Sequence, residues 1–146
     1  MATTITNATL TTVITETVTL NGKVYGNTNT LTVANINEVD QRIATATTAV
    51  ATLLTFGTAI GSGQYIRANV KYLRITNKDD TNFLYVNIVP TADTAVWFKL
   101  EAGKSFELHA MSIENANAFT AFDTIASIAV QSDTADVDLE YFIALT

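Results

Sequence analysis

The stretch YLRITNKDDTNFLYVNI, residues 72–88, decides the class of fold. Leu73 and Ile75 fall on one side of its first half, and Leu84, Val86 and Ile88 on one side of its second. Side chains that alternate with a period of two belong to strands. Between the two runs lies NKDDTN, whose Asn and Asp side chains hydrogen-bond their own backbone and so favour a turn. The stretch therefore reads as two strands in the middle of a sheet, joined by a solvent-facing turn. None of its residues forms a recognisable chemical constellation, so it reads as scaffold.

The same grammar extends in both directions. Downstream, VPTADTA breaks the chain, and Pro90 suits a strand end. Val96, Phe98 and Leu100 then point one way, and Trp97, Lys99 and Glu101 the other. EAGK predicts a tight turn with Gly103 at positive φ, after which Phe106 and Leu108 return to the core. MSIENANAFTAFD, residues 111–123, reads as a longer connection. Ile128 and Val130 mark a further strand. The last strand sets Val137, Leu139, Tyr141, Ile143 and Leu145 against Asp138 and Glu140.

Upstream, Asn21-Gly22 is a strong hairpin signal, because both residues tolerate positive φ. Val13–Leu20 reads as one strand, with Ile14, Val18 and Leu20 sharing a face with Glu16. GNTNT reads as a turn, and TLTVANI as a strand with Leu31 and Val33 on one side. Residues 38–56 fit two readings. Val39, Ile43, Ala46, Val50 and Leu53 would line one face of a helix, but five threonines favour two strands, 41–47 and 50–56. Residues 1–12 carry little to bury and read as an extended N-terminal arm or a loosely held first strand. Residues 13–146 form a single domain on this reading. The expectation is an all-β fold of eight to ten short strands: a jelly-roll-like or Greek-key two-sheet β-sandwich with an extended N-terminal arm.

Composition agrees. The 146 residues include 26 threonines, whose β-branched side chains favour strands, and a single proline. Hydrophobic residues make up 48% and charged residues only 15%, against about 25% in ordinary soluble domains. Such a chain must hide much of its surface, and burial in an assembly is one way to do so. The net charge of −6 and the absence of a basic run argue against phosphate-backbone binding. With no cysteine, neither disulfides nor thiolate metal sites are possible. The first residues lack a cationic start followed by an apolar run, so no secretory signal is expected. No apolar run approaches the ~18 residues of a membrane span.

Chemistry is sparse. The one histidine, His109, ends the KSFELH strand on the face of Glu107. Ser105 and Ser112 are near it in sequence, yet neither sits in a strand-to-helix elbow, and a catalytic triad needs nucleophile and base held together. Glu101 and Glu107 could pair as acid and base, but fourteen acidic residues offer many accidental pairs. Asp133, Asp136 and Asp138 are candidate calcium ligands, with Asp79 and Asp80 a second acidic turn. Their spacing does not match an EF-hand, and solvated turns are the default. GTAIGSG lacks the Lys-Ser/Thr of a phosphate loop. The expectation is no enzyme and no cofactor. Outward aromatics, Trp97 and Tyr72, would serve as a sugar platform or as interface anchors, the latter being favoured.

The segment from 65 to 108 resembles small virion proteins of tailed bacteriophages. YLRITNKDDTNFLYVNI followed by VWFKLEAGKSFELH carries the resemblance, with TETVTLNGKVYG and VDQRI also similar. The resemblance implies a capsid decoration, or cement, protein: β-rich, often trimeric, bracing joints between major capsid subunits, with no catalytic residues to carry over. It implies as partners the major capsid protein and further copies of the chain as a homotrimer, with neither nucleic acid nor membrane. Its place would be the virion exterior after synthesis in the bacterial cytoplasm. Ile5, Leu10, Tyr25, Tyr72 and Trp97 are the expected interface residues. The rival reading is a glycan- or receptor-binding sandwich of a head fibre or tail. Another virion part, such as a tail-tube or connector-associated sandwich, stands behind both.

Overall fold

Alternation of β-branched and polar residues makes almost every segment of this chain a strand, and turn chemistry sets where each one stops. The computed structural model describes residues 4–92, 94–113 and 123–146; most of the expected connection 111–123 lies outside them. Fourteen strands run in order: β1 (Ala8–Thr15), β2 (Val18–Leu20), β3 (Lys23–Tyr25), β4 (Thr28–Ile36), β5 (Glu38–Ala46), β6 (Ala51–Gly57), β7 (Tyr65–Ile66), β8 (Val70–Asn77), β9 (Leu84–Pro90), β10 (Val96–Leu100), β11 (Ser105–Leu108), β12 (Ser112–Ile113), β13 (Asp123–Ser132) and β14 (Val137–Leu145). Only one short 3-10 turn, Arg67–Asn69, interrupts them among the described residues.

Two sheets face each other. One has the order β10-β9-β13-β6-β7, with β12 also on β13; the other has the order β11-β8-β14-β5. Pairing is antiparallel except for β6 with β7. The inward sets expected from the sequence meet between the sheets. Leu73, Ile75, Leu84, Val86, Ile128, Leu139 and Ile143 are all essentially inaccessible and belong to one cluster. Each such side chain contributes roughly 1.5–3 kcal/mol by leaving water. The architecture is an all-β sandwich.

The opening stretch is arranged differently from its sequence reading. β8 and β9 do not form a hairpin: β8 lies in the four-stranded sheet between β11 and β14, and β9 in the six-stranded sheet between β10 and β13. The loop between them crosses from one sheet to the other. Asn77 is why. It is fully buried, and its Nδ2 donates to the carbonyls of Asn82 (2.9 Å) and Leu100 (3.2 Å). Its Oδ1 accepts from the Asp79 N–H at 2.9 Å. Asp79 Oδ1 then accepts from the backbone N–H groups of Thr81 and Asn82. The side chains thus replace the ladder bonds that a tight hairpin would have made. The chain also crosses between sheets at β5–β6, β7–β8, β10–β11, β11–β12 and β13–β14.

Residues 38–56 are strands, not helix, in β5 and β6. The turn expected at GNTNT shrinks to Gly26-Asn27, because Thr28, Asn29 and Thr30 pair with Thr15, Ile14 and Val13. The single strand expected over Val13–Leu20 is broken at Glu16-Thr17, where Gly26 on the facing strand approaches closely. A Cβ at Gly26 would collide with the Glu16 carbonyl. The Asn21-Gly22 turn has both residues at positive φ, 50° and 78°, as the hairpin signal requires.

A third layer was not foreseen. β1 pairs with β4 as a two-stranded ribbon whose Leu10, Leu31 and Val33 pack on Tyr72, Phe142 and Ala144, on the outer face of the four-stranded sheet. A bulge near Asn35, at φ 63°, shifts the register and turns Ile36 inward. This layer corrects the reading of Tyr72 as an outward aromatic: it is only 3% exposed, because the ribbon covers it. Leu10 likewise faces the sheet and is half-buried.

Candidate functional site

The ribbon outruns the body that it covers. β1 and β4 continue past their packed ends into β2 and β3, joined across the break by the Glu16 N–H to Asn27 carbonyl bond (2.9 Å). From Ala8 to Leu20 one arm of this hairpin is roughly 40 Å long at a strand's rise per residue. Every residue from 13 to 30 is exposed. Six of them are large and apolar: Val13, Ile14, Val18, Leu20, Val24 and Tyr25. Val18 and Tyr25 are cross-strand partners, as are Leu20 and Lys23, and the Lys23 ammonium lies 5.2 Å from the centre of the Tyr25 ring. A two-stranded ribbon is marginal in water without a third element. The distal hairpin is therefore a candidate docking element. Tyr25, one of the expected interface residues, lies on this hairpin. The rest was missed, although the Asn-Gly turn between two apolar runs was the signal that could have located it.

Ile5 is exposed at 66%, in the segment leading into β1. Trp97 lies on the far side of the molecule, on the outward face of edge strand β10, with Tyr85 standing edge-on to it at 6.2 Å. Phe83 is edge-on to Tyr85 at 4.8 Å, and Lys99 Nζ lies 4.2 Å above Phe83. Phe98, expected inward, is 41% exposed because β10 is an edge strand; its ring lies 5.2 Å from that of Phe106. The five expected interface residues thus do not share one surface.

A cleft of about 480 Å³ opens between β5 on one side and β6 with the Gly63–Tyr65 segment on the other. Asp40 projects into it from β5. Tyr65 and Tyr141 both donate hydroxyl hydrogen bonds to its Oδ2, the latter at 3.2 Å, and Arg42 Nε lies 3.4 Å from Oδ1. Partial burial pushes the Asp40 carboxyl up, but the two tyrosine hydrogen bonds and the Arg42 charge outweigh it and hold it below its ordinary value. Burial, then the bond to Asp40, raises Tyr65 far above an ordinary phenol. A carboxyl depressed on folding stabilises the fold above its unfolded pKa, and that contribution is lost as pH falls through the folded pKa. Asp40→Asn is therefore expected to lower the urea midpoint at neutral pH and to flatten its acid limb. An unchanged slope between pH 5 and pH 2, on the order of the carboxylate range, would show that Asp40 is not linked to folding.

The remaining candidates are dispersed. Ser105 Oγ is hydrogen-bonded to Thr76 Oγ1 (2.8 Å), while His109 sits 3.6 Å from Glu107 and beside the Tyr72 ring. Glu101 pairs with Lys99 at 2.7 Å. Glu107 lies in the other sheet, directly across from Arg74, which binds Glu140 at 2.6 Å. Asp138 accepts a hydrogen bond from Thr45 Oγ1 at 2.7 Å, and Asp136 is exposed. Asp133 is half-buried, with its Oδ1 making no hydrogen bond among the described residues. No group of three or more acidic, His or Cys side chains is placed to hold a metal among the described residues.

No family model matches the chain, and no curated protein does. A solved structure reported under the heading that Bacillus endospore appendages form a novel family of disulfide-linked pili aligns at 13% identity and a TM-score of 0.46. The alignment covers 75% of this chain and 85% of that one. It is a remote likeness. The resemblance to phage decoration proteins accordingly rests on the sequence motifs.

Proposed function

We propose that this chain is a structural protein of a phage particle that decorates the outer surface of the capsid and cements joints between major capsid subunits. The observation that carries the reading is the projecting hairpin, whose apolar side chains from Val13 to Tyr25 are each about half or more exposed. A contiguous exposed apolar element on an otherwise well-packed sandwich is a surface for a partner. Many copies, each burying one hairpin, would harden a shell through multivalency even if each contact were modest. The sandwich supplies a stiff base, and its low charge suits close packing among neighbours. The partners on this reading are the major capsid protein and further copies of the chain as a homotrimer on the virion exterior. Catalysis has no part in it.

Co-sedimentation of the purified protein with phage heads stripped of their decoration layer tests this proposal. Saturable binding in fixed proportion to the capsid protein supports it, and no binding at any concentration overturns it.

The rival reading, a glycan-binding module, draws on the Phe83–Tyr85–Trp97 row. Those rings stand edge to face, not as one flat platform, but Trp97 is 44% exposed and open to a sugar face. On this rival, a glycan array shows binding that Trp97→Ala removes. A blank array with the unaltered protein rules it out.

A further inference from the structure

We infer that the free edge of β5 receives residues 4–7 of a second copy of this chain as an added strand, which goes beyond the capsid reading and does not depend on it. β5 is the last strand of the four-stranded sheet, and no described strand covers its outer edge. It pairs with β14 over nine residues without a bulge, so its open edge is long and regular, roughly 30 Å. Native edges of this kind are normally blunted by proline, charged side chains, a bulge or a covering element. β5 has neither proline nor bulge, and its one such device is charge, at Glu38, Asp40 and Arg42. Its inward charges, Asp40 and Arg42, are held by each other and by Tyr65 and Tyr141, which leaves the edge backbone open.

The arm has matching chemistry. Residues 4–7 lie outside any strand, and Ile5 is two-thirds exposed. In Thr4-Ile5-Thr6 the apolar residue alternates with hydroxyls. An added strand would set Ile5 beside Val39 and Ile43, which are 53% and 70% exposed on the outer face, and turn the threonines toward Asp40 and Arg42. Charge and free backbone together favour the arm, because the other long uncharged run, 43–66, already supplies β6, β7 and part of β5. The chain carries −6, so two bodies repel, whereas no charged side chain precedes Glu16. Direction favours a second copy over the arm's own body. Ala8 pairs with Ile36, so the arm leaves the ribbon at the corner before Glu38, and residues 4–10 contain no glycine or proline to reverse it. An arm-to-edge contact is heterologous: it closes into a ring if the rotation allows and otherwise propagates.

The absence of cysteine makes the test clean. Ile5→Cys protein is mixed with Val39→Cys, Gln41→Cys or Ile43→Cys protein under mild oxidation, with Ile60→Cys, at a 90% exposed loop position, as the collision control. The expected result is a disulfide-linked heterodimer with at least one β5 position and its loss with Ile60→Cys. Equal linkage to Ile60→Cys, or none to any β5 position, overturns the inference. So does a double variant, Ile5→Cys with Val39→Cys, that closes within one chain instead of forming multimers. All arms use the protein alone, so failure here leaves head binding untouched, and failure to bind heads leaves the cross-link standing.

Discussion

Asn77→Ala is expected to cost the sandwich about 3 kcal/mol, read as a fall in the urea midpoint with an unchanged slope. Asn77 is fully buried and satisfies three backbone groups: the carbonyls of Asn82 and Leu100 and the N–H of Asp79. Alanine leaves these groups without that partner. Orphaned buried groups cost about 1–3 kcal/mol each, and some will be recovered by water entering the loop. Asp80→Ala supplies the control: its side chain is exposed on the same loop, so its effect should stay within about 0.5 kcal/mol. Asn77→Asp separates the donor from the acceptor role. It keeps an oxygen for the Asp79 N–H but has no donor for the two carbonyls, and at neutral pH it buries a charge. It should therefore be at least as destabilising as alanine, with part of the loss recovered in acid, where the carboxyl regains a proton to donate. If Asn77→Ala matched Asp80→Ala, Asn77 would not be the residue that holds the crossing.

The same residue shows what the sequence could and could not disclose. Alternation placed Leu73, Ile75, Leu84, Val86 and Ile88 correctly in the core, because a period of two depends only on one face being buried. It did not reveal that the two strands belong to different sheets. An inward-facing alternation looks the same whether the next strand continues the sheet or faces it across the core. The deciding contacts, Asn77 to Leu100 and Lys78 N–H to Asp138 (2.8 Å), join residues far apart in sequence. Tyr72 failed for a related reason. Its outward direction was read correctly, but whether an outward face meets water depends on another layer, and the ribbon's apolar face is a sparse set, Leu10, Leu31, Val33 and Ile36, among threonines. The projecting hairpin was half legible: its Asn21-Gly22 turn was identified, but nothing local distinguishes a hairpin joined to a sheet from one that projects.

Shortening the hairpin is the variant expected to change function most. Joining Thr15 to Thr28 through an Asn-Gly pair, in place of residues 16–27, removes Val18, Leu20, Val24 and Tyr25. It keeps the Thr15–Thr28 end of the β1–β4 ladder as the new turn site. Since every removed residue is exposed, the urea midpoint should move by no more than about 0.5 kcal/mol equivalent. Head binding should fall below detection if the tip supplies the buried anchors of the contact, as apolar and aromatic anchors commonly do. Truncation at the other end needs care. Removing residues 1–12 takes away Leu10 and uncovers Tyr72 and Phe142, so a loss of binding could come from damage to the third layer. Removing residues 1–7 leaves that layer whole and tests the arm alone. The two elements thus give separable outcomes. Tip loss with head binding abolished and the β5 cross-link intact assigns the hairpin to the capsid and the arm to the neighbouring copy. Full head occupancy after tip loss would remove the hairpin from the mechanism and, with it, the observation on which the cementing proposal rests.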